Sequence, residues 1–336
     1  MTQQNKYSIN KKLSPRLHSP VARALAALII VIIIGIVFNA DGAFYKWGTH
    51  RDTLRAVSVF GILACGMTLV IISGGIDLAV GSILALTAVA FSLISIHWHW
   101  SGCLAVLLCL IIGAACGAAS GVFIARCSVQ PFIATLAMMV FARGVAKWIS
   151  GGQKISTAIQ LPDGAYEYVQ PPPIFQFIDS KVLANNVSVV TFIFLLCLVV
   201  SGIVLHKLRP GRYLYAIGGN EEAARLSGVP VSLMKILAYG ISGLFCGVAG
   251  ICQACQEIQG DPETGMAYEL SAIAMVVIGG TSLNGGRGGM WLTLIGVLTI
   301  GYLDKILSIN AVGEDKRLML TGAIIIAAVL LQKTRR

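Results

Sequence analysis

The residues that could do chemistry are ionisable ones, and few of them lie among apolar residues. Asp77, Arg143 and Glu269 lie within or beside segments that are otherwise apolar. An ionisable group in such a segment is a candidate for an ion, proton or solute path. Asp77 has a second possible role, because the apolar run Leu78–Ile96 follows it directly and its carboxylate could cap that helix. We favour the cap for Asp77.

No arrangement of side chains predicts catalysis, a metal site or a cofactor. No Ser/His/Asp set and no paired carboxylates can be picked out within the apolar segments, and no GxxxxGK[ST] sequence is present. Cys252 and Cys255 have CxxC spacing but stand alone on an apolar helix, where small buried residues are expected. His97 and His99 alternate with tryptophans and indicate an interfacial aromatic belt rather than a metal site. The chain cannot supply ATP chemistry itself.

Composition assigns the chain to a class. Of 336 residues, 56% are hydrophobic and only 12% are charged, which is too few charges for the surface of a soluble domain of this size. The net charge of +10 is spread over the tails and loops, as the positive-inside rule expects. Binding of nucleic acid is therefore not predicted. We predict an all-α polytopic membrane protein with about ten transmembrane helices and two glycine-broken segments.

The apolar runs define the domain organisation. Residues 1–20 form a basic cytoplasmic tail, 21–332 a single transmembrane domain with a cytoplasmic loop at 207–231, and 333–336 a short cytoplasmic tail. Both termini are predicted to be cytoplasmic. At about 20 residues per crossing, the predicted crossings are Val21–Ala40, Thr53–Ser73, Gly74–Ile96, Cys103–Ala125, Phe132–Ser150, Val187–His206, Ser232–Cys252, Glu269–Gly289, Met290–Leu307 and Leu318–Leu331.

Two glycine-rich stretches resemble each other. Ile71–Leu78 reads IISGGIDL and Val277–Leu283 reads VIGGTSL, each between apolar runs. Broken helices at corresponding positions of two halves indicate a transport path, although two tight turns at the membrane face would explain the same residues. Both interpretations remain open at this stage. The candidate path or gate residues are Gly74, Gly75, Asp77, Gly81, Gly279, Gly280, Asn284, Gly285 and Gly286.

The polar stretch Lys207–Val231 separates two strongly apolar runs. Pro210 and Gly211 are expected to stop a helix, and Asn220 is expected to cap a new short helix that ends near Gly228. This stretch is either an ordinary solvated loop or a surface that docks a partner. The candidate docking residues are Gly218, Gly219, Asn220, Glu221, Glu222, Ala223, Ala224, Arg225, Leu226 and Gly228.

Four separated stretches together resemble a known family. They are GMTLVIISGGIDLAVGS (66–82), QPFIATLAMM (130–139), GRYLYAIGGNEEAARLSGV (211–229) and YELSAIAMVVIGGTSLNGGRG (268–288). These closely resemble permease subunits of bacterial ribose-type sugar ABC transporters, over about residues 53–331. The resemblance implies an inner-membrane subunit that translocates a ribose-like pentose or a hexose.

The resemblance also implies partners. They are a cytoplasmic ATP-binding subunit, a periplasmic sugar-binding protein, a second permease copy or a paralogue, and membrane lipid. The stretch 207–231 would be the coupling segment in a cleft of the ATPase. The sugar would cross a mostly apolar, transient cavity, with specificity chiefly in the binding protein. Two alternatives are a stand-alone ion-coupled carrier, with Asp77, Arg143 and Glu269 as ion or proton sites, and an ABC permease for another small polar solute.

Overall fold

The computed structural model of the chain describes residues 19–160 and 165–333. Nearly all of the predicted basic tail 1–20 and of the C-terminal tail 333–336 lies outside these residues. The described part is helical throughout the apolar runs, as predicted. Its short strands are confined to the polar connections.

The helices follow the apolar runs closely. In chain order they are α1 Pro20–Val37, α2 Trp47–Ile72, α3 Val80–Ser92 with a π-helical extension Leu93–His97, α4 Gly102–Arg126, α5 Pro131–Ser150, α6 Pro173–Asp179, α7 Val189–His206, α8 Arg209–Gly219, α9 Glu221–Leu226, α10 Val231–Glu257, α11 Tyr268–Gly279, α12 Met290–Ile309 and α13 Glu314–Lys333. A 3₁₀ turn, Ala43–Tyr45, joins α1 to α2.

Eight helices of the described chain are long and apolar enough to cross a membrane, namely α1, α2, α3 with its extension, α4, α5, α7, α10 and α12. The predicted all-α membrane fold is confirmed, but the predicted count of about ten crossings is not. The two remaining predicted crossings correspond to α11 and α13. Helix α11 has only 12 residues, and α13 begins with four charged residues, so neither is among the eight.

The centre of the bundle is formed by α2, α3 and α10. Every residue of α3 is buried, and so are residues 61–72 of α2. By contrast α1, α4, α5 and α7 bury one stripe and expose apolar side chains on the other face. Helices of this second kind suit contact with lipid or with another membrane protein.

Close contact between α4 and α10 depends on glycine. A Cβ atom at Gly117 would lie 2.9 Å from the Gly243 nitrogen, and one at Gly243 would lie 2.8 Å from the Gly117 nitrogen. Gly113 and Gly247 meet one turn further along the same seam. Small residues spaced four apart on both helices thus let their backbones approach directly.

The two ends of the bundle differ in character. At one end, which we call the loop face, α1 begins, α2 and α7 end, and α12 begins. At the other end, the strand face, short antiparallel pairs form: Ile155–Ser156 with Gln259–Gly260, Ala158–Gln160 with Tyr166–Tyr168, and Lys181–Val182 with Val187–Ser188. The salt bridge of Arg55 with Asp179 also lies toward this end.

Candidate functional site

The loop at 207–231 is more ordered than its sequence predicts. Pro210 and Gly211 do not stop a helix: they lie in the first turn of α8, where proline is tolerated because its missing N–H has no helical acceptor there. The expectation was wrong in that both residues begin a helix, although α7 does end just before them, at His206, and the chain turns there. Leu214 and Ile217 bury one face of α8, while Arg212 is exposed on the other. The loop is therefore two consecutive helices.

The predicted short helix is present as α9, with both of its predicted ends. Asn220 Oδ1 accepts a hydrogen bond from the Ala223 amide at 3.0 Å. At the other end Gly228 has φ +81°, its amide donates to Arg225 O, and the Val229 amide donates to Ala224 O, both at 3.0 Å. This is the Schellman arrangement that ends helices.

One side of α9 is fixed to the bundle and the other is open. Glu221 pairs with Arg225 at 3.1 Å and with Lys235 of α10 at 2.6 Å, and Ala224 is buried. In contrast Glu222 is exposed, and the Leu226 side chain is 84% exposed at the tip of the helix. The docking candidates thus divide into residues that anchor α9 and residues that face outward.

The two glycine-rich stretches and the end of α8 meet at the loop face. The Gly286 amide donates to Ile72 O at 2.9 Å. A Cβ atom at Gly218 would overlap both Ile72 O and the Gly286 nitrogen, and one at Gly285 would lie 2.9 Å from the Cα atoms of Gly218 and Gly74. We call this contact the glycine junction. It joins α2, α8 and the segment 280–289 through backbone atoms.

The glycine junction explains why these positions carry no side chain. Gly74, Gly285 and Gly286 all have positive φ, at +84°, +81° and +68°, which other residues rarely adopt. The Tyr215 hydroxyl of α8 donates a further hydrogen bond to Gly288 O at 2.9 Å. These candidates lie at the end of the bundle, where α2 stops and α12 starts.

Asp77 is buried in the chain between α2 and α3. Its Oδ2 accepts from the Ser242 hydroxyl at 2.8 Å, and its Oδ1 accepts from the Ala79 amide at 3.0 Å, one residue before α3 begins. The Tyr239 hydroxyl reaches Ile76 O at 3.3 Å and lies where a Cβ atom of Gly75 would be. Asp77 therefore orders the entry to α3 and ties it to α10.

The remaining candidates lie apart from the junction. Gly81 opposes Gly265, and the Glu269 Oε2 atom would lie 2.9 Å from a Cβ at Gly81. Gly279 packs on the backbone of α12, and Gly280 has φ +108° beside Pro20. The Asn284 backbone amide donates a hydrogen bond to the Ser282 hydroxyl at 3.3 Å in an exposed turn. The N-terminal ends of α3 and α11 are thus neighbours within the bundle.

Sequence reasoning missed several partners in these contacts. Lys235, Tyr239, Ser242 and Gly265 were not singled out. Lys235 follows α9 by only nine residues and is a charge at the start of an apolar run, which was a usable signal. The others are small or aromatic residues in helical or loop sequence, and their roles depend on contacts over more than 100 positions.

Comparison with known proteins agrees with this architecture. Residues 51–329 match the family model described as branched-chain amino acid transport system / permease component. The ribose import permease protein RbsC of Escherichia coli K12 is 38% identical over 310 residues, covering 91% of this chain and 92% of that protein. The same-named protein of Bacillus subtilis is 38% identical over 314 residues, covering 93% and 92%.

A relative with another named sugar extends the comparison. The fructose import permease protein FrcC of Rhizobium meliloti is 33% identical over 331 residues, covering 96% of this chain and 88% of that protein. No solved structure matches the chain significantly. The family model and these relatives span nearly the whole transmembrane domain. The chain therefore belongs to the family of the branched-chain amino acid transport system / permease component and, within it, to the ribose-type sugar ABC permeases.

Proposed function

We propose that this chain is the membrane-spanning subunit of an ABC importer that translocates a monosaccharide, either a ribose-like pentose or a hexose. The observation that carries this proposal is 38% identity to ribose import permeases over more than nine-tenths of the chain. In this role the chain works in the inner membrane with a second permease copy or paralogue. A cytoplasmic ATP-binding subunit and a periplasmic sugar-binding protein complete the importer.

Helix α9 is the proposed contact with the ATP-binding subunit. Its exposed residues Glu222 and Leu226 face away from the bundle, and Leu226 is an apolar side chain left almost wholly in water. Burial of such an isolated apolar side chain in a cleft of a partner lowers the free energy of the complex. The capped ends of α9 keep the tip rigid, so a push on it is not absorbed by the loop.

Two connections would carry that push into the membrane. The Glu221–Lys235 pair links α9 to α10, which crosses the whole bundle. The glycine junction includes Gly218, three residues before α9 begins, and touches the end of α2 and the segment leading into α12. Because these contacts are between backbone atoms, movement of α8 and α9 displaces α2 and α12 directly. This mechanical connection supports the proposal that the two glycine-rich stretches act as a gate that the loop face moves.

The test is purification of the tagged wild-type chain in mild detergent, with identification of co-purifying proteins and an ATPase assay. We expect an ATP-binding subunit in the eluate. Leu226→Asp should reduce its recovery by about tenfold or more, the effect of losing the burial of one leucine. Glu222→Lys is a second outward-facing variant. Glu221 is unsuitable for this test, because its loss would also free α9 from α10.

The matched control is Glu167→Lys, which reverses an exposed charge at the strand face. Recovery of the ATPase should be unchanged in this variant. Full recovery with Leu226→Asp and Glu222→Lys combined would contradict docking through α9. A wild-type chain that purifies alone, without ATPase activity, and moves solute in liposomes under an ion gradient would instead establish the stand-alone carrier.

A further inference from the structure

A non-helical segment enters the bundle from the strand face before α11. Gly260 packs closely against α3, where its Cβ would lie 2.7 Å from both Ala88 O and Val89 Cα, while Gly265 packs against Gly81. Ala88 and Gly81 are seven residues apart on one helix, so the segment descends by about 10 Å at 1.5 Å per residue. Residues 260–267 thus carry backbone and side chains to the depth at which α11 begins.

Cations of α5 hold this segment in place. Arg143 Nη1 donates to Pro262 O at 2.5 Å and to Thr264 O at 2.7 Å, and Lys147 pairs with Glu263 at 2.6 Å. Arg143 lies seven residues before the last residue of α5, which places it about 10 Å inside the end of this helix. Charges therefore lie within the membrane-crossing part of α5 and not only at its end.

These charged groups lie on an outer face of the bundle. The side chains of Lys147 and Glu263 are 48% and 52% exposed. Met266 is also exposed, and a Cβ atom at Gly144 would meet nothing within 4 Å. We call Arg143, Lys147, Glu263 and Glu269 the charged face. Charged side chains at this depth are costly in lipid and lie against protein or a water-filled cavity.

Among the residues that the structure describes, the helix directly behind this face offers no comparable charged surface. All 13 residues of α3 behind it are buried, and they are mostly apolar. The charged face instead borders the outside of the chain. In an importer that contains two permease chains, it is the surface on which a polar solute can meet charged groups inside the end of α5.

We propose that the charged face lines the path of an uncharged polyhydroxylated solute between the two permease chains; this proposal rests on the function proposed above. Its carboxylates accept hydrogen bonds and its guanidinium and ammonium groups donate them, while a sugar hydroxyl does both. Two cations and two anions balance, so the lining favours neither cations nor anions. The sugar path therefore has a polar, charged lining, in contrast to the mostly apolar cavity expected from the sequence.

Water access gives a test that needs no knowledge of the sugar. Met266→Cys and Leu196→Cys are made in a background with the two exposed cysteines changed, Cys103→Ser and Cys127→Ser. The parent residues are 65% and 63% exposed, and Leu196 lies on the exposed apolar face of α7. Thiols react with charged methanethiosulfonates as thiolates, which form in water and not in lipid. We expect modification at position 266 and none at position 196.

The labelling uses sonicated membranes that contain the complete importer, so that a sulfonatoethyl methanethiosulfonate probe reaches both faces. It is carried out with and without ATP, because a path that opens in turns is wet in at least one state. Labelling at position 266 as slow as at position 196 under both conditions would overturn the proposal.

Uptake gives a second, independent test. Cells with all importer subunits are supplied with radiolabelled D-ribose, D-fructose or L-arabinose. Glu269→Gln and Glu263→Gln should each slow uptake of the preferred sugar by about tenfold, the effect of weakening a hydrogen bond to a charged group. Glu167→Gln, at an exposed site of the strand face, is the matched control and should import at the wild-type rate.

The outcomes separate this inference from the proposed function. A wild-type chain that recovers its ATPase and imports sugar, together with wild-type uptake by both glutamine variants, would refute the polar lining and leave the importer standing. A wild-type chain that recovers no ATPase would refute the importer itself, whatever the labelling at position 266.

Discussion

Gly218 shows how a single residue can connect the loop to the membrane helices. Its α-carbon lies against the backbone of Ile72, Gly285 and Gly286, and a methyl group there would overlap two of these segments. The neighbouring Gly219 has nothing within 4 Å of its Cβ position. Two adjacent glycines of one helix therefore have different roles, which their sequence does not distinguish.

We expect Gly218→Ala to destabilise the chain by about 1–3 kcal/mol, the usual cost of overpacking, and to impair uptake. Gly219→Ala is the control, and it should be neutral or stabilising by up to about 1 kcal/mol because alanine favours the helix. The measurements are the thermal midpoint of the detergent-purified chain and sugar uptake in cells. Equal behaviour of the two variants would contradict the backbone contact at the glycine junction.

At the scale of elements, the seam between α4 and α10 fixes the position of the long helix that follows the loop at 207–231. The seam is formed by glycines that recur every four residues on both helices. Helix α10 also holds Asp77 through Ser242 and α9 through Lys235. A shift of α10 along this seam would therefore move both contacts together.

We expect Gly243→Ala to lower stability by about 1–3 kcal/mol, because its methyl group would meet the Gly117 backbone and force the helices apart. Gly240→Ala on the same helix is the control, since its nearest neighbour, the Ala118 Cβ, is at an ordinary 3.7 Å. Thermal unfolding in detergent, followed by intrinsic fluorescence, measures both. A Gly240→Ala variant as unstable as Gly243→Ala would show that the seam is not the cause.

At the scale of the whole molecule, the loop face and the strand face give the chain a direction. The loop face carries α8 and α9 and the start of α1, which follows the basic residues of the N-terminal stretch. The positive-inside rule predicts that such a face is cytoplasmic. The strand face, with its three short antiparallel strand pairs, lies at the opposite end of the bundle and would face the binding protein of the proposed importer.

Orientation can be measured in intact cells with a membrane-impermeant maleimide, using the background with Cys103→Ser and Cys127→Ser. Glu167→Cys, exposed at the strand face, should be labelled from outside. Arg212→Cys, exposed on α8, should be labelled only after the membrane is permeabilised. The background without an added cysteine controls for the remaining thiols. Labelling of Arg212→Cys in intact cells would show that the loop face is on the outside, opposite to the predicted orientation.

Much of this architecture follows from local sequence. The positions of the apolar runs predicted the long helices to within a few residues, because each must satisfy its backbone hydrogen bonds internally. The ends of α9 were also predictable, since Asn220 and Gly228 act on neighbouring backbone atoms. The failure at Pro210 has the same local origin: proline stops a helix only in the interior, and here it lies in the first turn.

The sequence alone thus determined the fold class, the family and the capped helix, since all three depend on composition, recurring stretches or contacts within a few residues. Only the tertiary structure decided that the two glycine stretches meet the end of α8, that Glu221 is an anchor and Leu226 the free tip, and that Arg143 and Glu269 belong to one face. These contacts join residues on different helices or loops, many of them more than 100 positions apart, such as Gly218 with Ile72 and Arg143 with Pro262. Their geometry depends on how whole helices pack. A glycine or a glutamate carries no local signal of the partner it will meet.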